Sequence, residues 1–318
     1  MLSCDPDQIV FGPTLSRRLG HILGIRNVAP KVCSYSCVYC EVGRMTQWAS
    51  KRRAFYEPQD ILHAVTAACE AAEKKGLPIN YLTFVPDGEP TRDINLGHEI
   101  ALLKPVGKKI AVITNASLLW RPEVREDLMQ ADWVSVKVDT VQAAVWRKIN
   151  RPARSLQLSM ILDGLREFAT DYPGELVTET MLVDGVNDSE SELLPVAQFL
   201  AELQPFIAYL ALPTRPPAEH WVRSPGAASL TRAYHLFSPY VRNIEFLIGN
   251  EGNRFTFSGE VEKDLLSMVN MGPMREDAMR EFLAQAQADW SVIPGLIQQG
   301  KLTETEYEGE TFYLPRVS

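Results

Sequence analysis

This chain is predicted to be an α/β protein: a parallel sheet curled into a partial (β/α)6 barrel, followed by a small C-terminal winged-helix domain. Three observations predict this. Short apolar runs of strand length alternate with longer amphipathic runs across residues 79–212. Polar motifs marked by glycine or proline follow those apolar runs, at the strand ends where chemistry gathers in parallel sheets. Near residues 250–259 the alternation stops, and three helical runs and a hairpin pattern replace it. A flat doubly wound sheet is the alternative that periodicity alone leaves open.

Bulk properties agree. At 318 residues, 46% apolar and 23% charged, the chain suits one large domain with an appendage, residues 1–248 and 249–318. A formal net charge of −8 favours solubility and argues against wholesale nucleic-acid binding. The N-terminus has no basic region and no apolar run, so no signal peptide is expected. No stretch reaches the roughly 18 apolar residues of a membrane span. Of the five cysteines, Cys33, Cys37 and Cys40 cluster, which is not a disulfide framework. A reducing cytoplasm is the expected setting. Cys69 reads as a packed helix position, and Cys4 is left over.

Taken in order, residues 1–24 read as an irregular lead-in broken by Gly12-Pro13 and Gly20. A first strand spans residues 24–30, and the cysteine loop follows. Then come helix 58–75, stopped by Gly76, and strand 79–85. Helix 93–104 leads to strand 109–113, helix 121–130 to strand 132–138, and helical pieces over 141–170 to strand 175–183. Helix 189–203 opens at a Ser189/Glu192 capping box and leads to strand 206–212. Right-handed crossovers make such units a barrel or an open sheet.

The run from Cys33 to Cys40 has the spacing C-x3-C-x2-C. Three thiolates on one short loop can hold three irons of a [4Fe–4S] cluster, whose full protein set would be four cysteines. No fourth lies nearby, so one iron stays open for chemistry. Two other readings exist. Buried cysteines on one helical face are common, but Ser, Tyr and Val make this a poor amphipathic helix. A zinc knuckle wants a fourth ligand close by, and the nearest histidines are His21 and His63.

This loop, with aromatic Tyr39 before its last cysteine, resembles that of the radical SAM superfamily. The stretch from Phe11 to Gly20 resembles one branch of it, iron–sulfur oxidoreductases described as wyosine-synthase-like. The resemblance covers nearly the whole chain. It implies the same partial barrel, a [4Fe–4S] cluster, S-adenosylmethionine on the open iron, and a reductant such as flavodoxin or ferredoxin. The implied activity is reductive cleavage to a 5′-deoxyadenosyl radical that takes a hydrogen from a substrate.

The resemblance also suggests site residues. The run from Pro86 to Thr91 is similar to the family's Gly-Gly-Glu-Pro motif, which receives the amino group of S-adenosylmethionine. That implies Gly88 and Glu89, with Asp87 standing where the family has a glycine. Thr114-Asn115-Ala116-Ser117 is similar to a Thr-Asn-Gly turn, and Asn115 is expected at backbone groups or at the methionyl end. Ser135, Lys137 and Asp139 alternate along one strand and so share a face. By family position they would meet ribose or carboxylate. On the next strand Thr178 and Thr180 alternate with Glu179 and Met181, and Thr180 or Glu179 is the ribose candidate. Tyr39 joins the cofactor set. Val186-Asn187-Asp188 resembles a turn that caps the next helix.

Arg215 and Glu219, in a proline-stiffened loop, are expected over the open mouth. Basic residues are in excess between Phe11 and Asp60, with Lys51-Arg52-Arg53 expected either to meet an anionic substrate or to form a solvated face. From Glu260 onward acidic residues outnumber basic ones roughly twofold. A winged helix often reads DNA, but that balance does not suit phosphate contacts. A peptide- or protein-docking module, or a lid, is expected instead. The substrate is open: peptide maturation, glycyl-radical activation of a protein partner, and tRNA base modification all fit. Wyosine chemistry itself needs a second cluster, which Cys4 and Cys69 cannot supply in a monomer. A non-catalytic zinc or electron-transfer protein is the reading from another class.

Overall fold

The structure, a computed structural model, describes residues 9–45, 47–248 and 260–316. In chain order it contains β1 (Val10–Ser16), β2 (Gly20–Ile25), the short strands β3 (Val32–Cys33) and β4 (Gln47–Trp48), and α1 (Pro58–Lys74). There follow β5 (Tyr81–Phe84), α2 (Leu96–Leu103), β6 (Lys109–Thr114), α3 (Pro122–Leu128), β7 (Trp133–Lys137), α4 (Ala143–Ile149), α5 (Leu158–Asp171) and β8 (Glu175–Met181). The series ends with α6 (Glu190–Leu203), β9 (Ile207–Ala211), α7 (Ala227–Phe237) and β10 (Ile244–Leu247).

The main sheet has the order β1-β2-β5-β6-β7-β8-β9-β10. Every neighbouring pair from β2 to β10 is parallel, while β1 returns antiparallel on β2. Three expectations are corrected. The lead-in is a hairpin, with Gly20 at φ 69 closing its turn. Gly12-Pro13 is absorbed as a register shift between Phe11 and Thr14. An edge strand tolerates a proline that a central strand would not. The barrel also continues past β9 through α7 and β10, which the sequence reading omitted because β10 is only four residues long. The expected capping box is absent. Ser189 is the N-cap of α6 but makes no side-chain cap bond, and the Glu192 carboxylate accepts from Thr140 Oγ1 instead.

The sheet has two different faces. Alternate residues such as Leu82, Phe84, Val112, Val134, Val136, Leu176 and Leu210 pack against the helices in the main core. The opposite, concave face carries a smaller cluster that includes Ile22, Trp133, Val177, Tyr209 and Leu247. Arg17, in the first hairpin, donates to the carbonyl of Leu247 on the last strand at 3.2 Å. The two ends of the sheet therefore meet, which makes it a curled barrel and not a flat sheet.

Residues 260–316 form α8 (Val261–Met271), β11 (Met274–Arg275), α9 (Glu276–Gln285), α10 (Val292–Gln298), β12 (Leu302–Tyr307) and β13 (Glu310–Pro315). The strands pair as β11-β13-β12. Leu265, Val269, Met279, Phe282, Ile293 and Leu296 give this unit its own core. It meets the barrel through Tyr307, whose hydroxyl donates to Pro213 O at 3.3 Å, and Glu308, which accepts from Ser224 N at 3.1 Å. Among the described residues no helix is long and apolar enough to cross a membrane.

Candidate active site

The loop after β2 carries the three cysteines at the carboxyl end of the sheet. Neighbouring backbone fixes it on several sides. Ser36 N and Val38 N donate to Asn150 O and Ile149 O at 3.0 and 2.9 Å, Ala153 N to Ser34 O at 2.9 Å, and Ala49 N to Cys33 O at 3.1 Å. Two amide side chains face sulfur. Asn115 Nδ2 lies 3.3 Å from Cys33 Sγ, and Asn150 Nδ2 lies 3.5 Å from Cys37 Sγ. Burial pushes all three thiols up, Cys40 to about 12. As bare thiols they would stay protonated at neutral pH.

The loop after β5 docks onto the cysteine loop. Lys31 N donates to Asp87 O at 2.7 Å and Glu89 N to Val32 O at 3.0 Å. A side chain at Gly88 would place its Cβ 2.2 Å from Val32 O, so only glycine permits this approach. Asp87 has no left-handed backbone and pairs with Arg26 at 3.3 Å, so the loop accommodates it in place of glycine. Glu89 is buried and accepts hydrogen bonds on both carboxylate oxygens. Oε1 accepts from Thr91 N at 3.1 Å, Thr91 Oγ1 at 2.6 Å and Thr114 Oγ1 at 2.5 Å, and Oε2 from Asn115 N at 2.8 Å. Burial pushes its carboxyl up against these bonds. Glu89 thus ties the β5 loop to the β6 loop. Beyond it Ala116 takes φ 63, the conformation a glycine would adopt freely.

On the concave face Ser135 and Lys137 share the side that β8 gives to Glu179. Lys137 Nζ bonds Glu179 Oε1 at 2.7 Å and lies 4.7 Å from the Tyr39 ring centroid. The Tyr39 hydroxyl donates to Asp139. Asp139 also accepts from Asn150 Nδ2 at 2.7 Å and Met181 N at 2.9 Å. Burial alone would raise the Glu179 carboxyl, but Lys137 and Arg18 overcome it and hold it down to about 2. Burial would lower Lys137, and Glu179 and Asp139 reverse that. Thr180 is a correction. Its parity puts it on the helix side, where its hydroxyl donates to Val138 O at 2.8 Å, so Glu179 holds the concave position.

A family model described as the radical SAM superfamily matches residues 28–194. The chain belongs to the radical SAM superfamily. A UPF0026 protein of Methanocaldococcus jannaschii is 42% identical over 311 residues, which cover 97% of this chain and 96% of that one. In fold the chain is similar to a radical SAM methyltransferase from Sphaerobacter thermophilus, with TM-score 0.53 and 16% identity over 71% of this chain and 67% of that one. It is also similar to Streptococcus suis SuiB bound to S-adenosylmethionine, with TM-score 0.53 and 13% identity over 76% of this chain and 56% of the other. Radical SAM proteins are enzymes that use a [4Fe–4S] cluster and S-adenosylmethionine.

The donors fit that cluster. Three cysteine sulfurs lie on one loop, two of them facing amide donors suited to thiolate. Cys69 sits half-buried on α1, and Cys4 lies outside the described residues. Among the described residues no three Cys, His, Asp or Glu side chains converge on a single ion.

Other expectations resolve around the rim. Glu219 accepts from Arg44 Nε at 2.9 Å and also from Arg151, while Arg215 pairs with Glu41 at 3.0 Å. These five charges beside the cysteine loop are paired with one another. Arg52 is no solvated charge. It donates to Thr91 O at 2.9 Å and Asp93 O at 2.7 Å and pairs with Asp127, strapping residues 49–53 over the β5 loop. Asn187 and Asp188 do not cap α6. Asn187 Nδ2 donates to Asp139 O and Met181 O, each at 2.9 Å, and Asp188 accepts from Gly185 N at 2.9 Å. Sequence reasoning missed Asn150 and Arg18. Asn150 follows a helix with no motif around it. Arg18 lay in a stretch already singled out, but without an expected contact.

Proposed function

We propose that this protein is a radical SAM enzyme of the cytoplasm in which Cys33, Cys37 and Cys40 hold three irons of a [4Fe–4S] cluster. The observation that carries this reading is the docking of the Gly88–Glu89 loop on the cysteine loop, which would bring that loop's backbone close to a cluster held by the three cysteines. When bound, cluster and S-adenosylmethionine supply a one-electron cleavage to methionine and a 5′-deoxyadenosyl radical, which takes a hydrogen atom from a substrate.

The chain's residues bind, orient and shield. The loop 86–91 offers carbonyl oxygens to the ammonium group, with Gly88 allowing its approach and Glu89 holding its shape. Asn115 and Asn150 donate toward the sulfurs of Cys33 and Cys37, which stabilises thiolate. Lys137 on the concave face offers a cation to the carboxylate, with Ser135 below it. Tyr39 and Asp139 form a fixed wall behind Cys37.

Residues 260–316 have the element order of a winged helix, and we assign them to docking a peptide or protein. Their acidity supports that assignment over RNA. Flavodoxin or ferredoxin is the expected reductant. Anaerobic reconstitution tests the reading. Reduced protein should convert S-adenosylmethionine to 5′-deoxyadenosine, and Cys33→Ala should abolish both cluster and product. Protein with a full cluster that never cleaves the cofactor contradicts it.

A further inference from the structure

Arg18 belongs to the Phe11–Gly20 stretch, for which the proposed function provides no task. It sits in the turn of the β1–β2 hairpin. β2 runs from that turn toward the cysteine loop, so Arg18 starts at the opposite end of the barrel. Its side chain nevertheless reaches up the concave face. Nη1 bonds Glu179 Oε2 and lies 3.5 Å from Ser135 Oγ. The guanidinium carbon is 6.0 Å from the centroids of both Trp133 and Tyr209.

The two oxygens of Glu179 are divided between two cations. Oε2 goes to Arg18, and Oε1 takes Lys137 Nζ at 2.7 Å. Lys137 in turn lies against the Tyr39 ring, whose hydroxyl bonds Asp139. Asn150 Nδ2 joins Asp139 to the Cys37 side at 2.7 and 3.5 Å. A continuous chain of polar contacts therefore runs from the hairpin turn to a cluster ligand. A carboxylate held at one oxygen can still rotate, and held at both it cannot. Lysine has a long flexible stem and is costly to order, so its place depends on a partner that does not move.

We propose that Arg18 is a positioning residue: by fixing Glu179 it aims Lys137 at the Tyr39–Cys37 side of the cofactor site. The functional readout rests on the proposed function, but the geometric claim does not.

A double-mutant cycle tests it, using reconstituted full-length protein and S-adenosylmethionine as the probe. R18Q should weaken S-adenosylmethionine binding about tenfold. In an E179Q background R18Q should cost less than twofold further, because its effect passes through Glu179. The cluster's reduction equilibrium should move about tenfold in the same non-additive way, about 59 mV for one electron. R18K, which keeps the charge without the fork, should recover part of both. Equal losses in both backgrounds, or no loss, overturn the proposal.

A crystal structure of R18Q apoprotein gives a readout free of cofactor. Glu179 should rotate and Lys137 should leave Tyr39, and an unchanged Lys137–Glu179 pair overturns the proposal. Wild-type protein that holds a cluster but binds no S-adenosylmethionine overturns the proposed function alone. The potentials and the R18Q structure still decide Arg18.

Discussion

Two buried charged regions lie on opposite sides of the sheet and are balanced differently. On the concave face Glu179 sits between Arg18 and Lys137, each oxygen bonded to a cation. Under the β5 loop, Asp127 pairs with Arg52, and Asp93 and Glu99 lie beside that pair. There Asp93 Oδ2, Glu99 Oε1 and Asn27 Oδ1 are buried without a hydrogen-bond partner among the described residues. Burial pushes Asp93 up to about 7, and burial together with Asp93 pushes Glu99 well up. The concave charges are held in place by counter-charges, whereas behind the sheet burial favours the protonated forms of Asp93 and Glu99. The contrast shows which buried charges can define a geometry: a compensated carboxylate is fixed, while a protonated one chiefly avoids a cost.

The sharpest way to break this comparison is E179Q. It leaves Arg18 and Lys137 buried around a neutral amide and should destabilise the fold by about 3–5 kcal/mol in denaturant titrations. It should also flatten part of the acid limb. Glu179 titrates near 2 when folded and near 4.5 when unfolded, so its contribution is present above about 4.5 and is lost as pH falls toward 2. Wild-type stability falling over that window and E179Q stability falling equally would contradict the balance drawn here.

D93N probes the other region and should act with the opposite sign. Asp93 holds its proton more tightly when folded, so its stabilisation is full below its ordinary value near 3.8 and is lost as pH rises through about 7. D93N should therefore be more stable than wild type by about 2 kcal/mol at pH 8, with the gain shrinking toward pH 5. E99Q makes permanently neutral a carboxyl that burial and Asp93 already push well up, so thermal unfolding should shift by less than about 1 kcal/mol. A loss as large as that of E179Q would erase the distinction between the regions. The smallest effect belongs to A116G. It relieves left-handed backbone at φ 63 between the two regions and should gain about 0.5 kcal/mol, net of glycine's added chain entropy.

Much of this was legible in the chain, for physical reasons that vary from place to place. The strands from β5 to β9 announced themselves because both faces are covered and their residues are mostly apolar. Cys33, Cys37 and Cys40 were legible because three thiols on one loop have few uses. Lys137 showed through its alternation with Ser135 along β7, whereas Asp139, expected on the same strand, lies just beyond its end. The same alternation left Thr180 and Glu179 undecided, because period two cannot say which set faces inward, and both threonines are small enough to pack beneath helices. The hairpin stayed hidden because proline and glycine mark turns more often than bulged edge strands. Arg18 stayed hidden because its partners are 117 and 161 residues away in the chain. The basic run at Lys51–Arg53 misled, since a charge run does not reveal that Arg52 turns inward to backbone carbonyls.

The claim on which the rest depends is that the cysteine loop leaves one iron for a small ligand. Spectra of the reconstituted, reduced protein test it most directly. Adding S-adenosylmethionine should change the electron paramagnetic resonance signal of a cubane cluster and distinguish one iron site by Mössbauer spectroscopy, and Cys40→Ala should remove both. A cluster whose spectra do not respond to S-adenosylmethionine, with all four irons alike, would contradict the account.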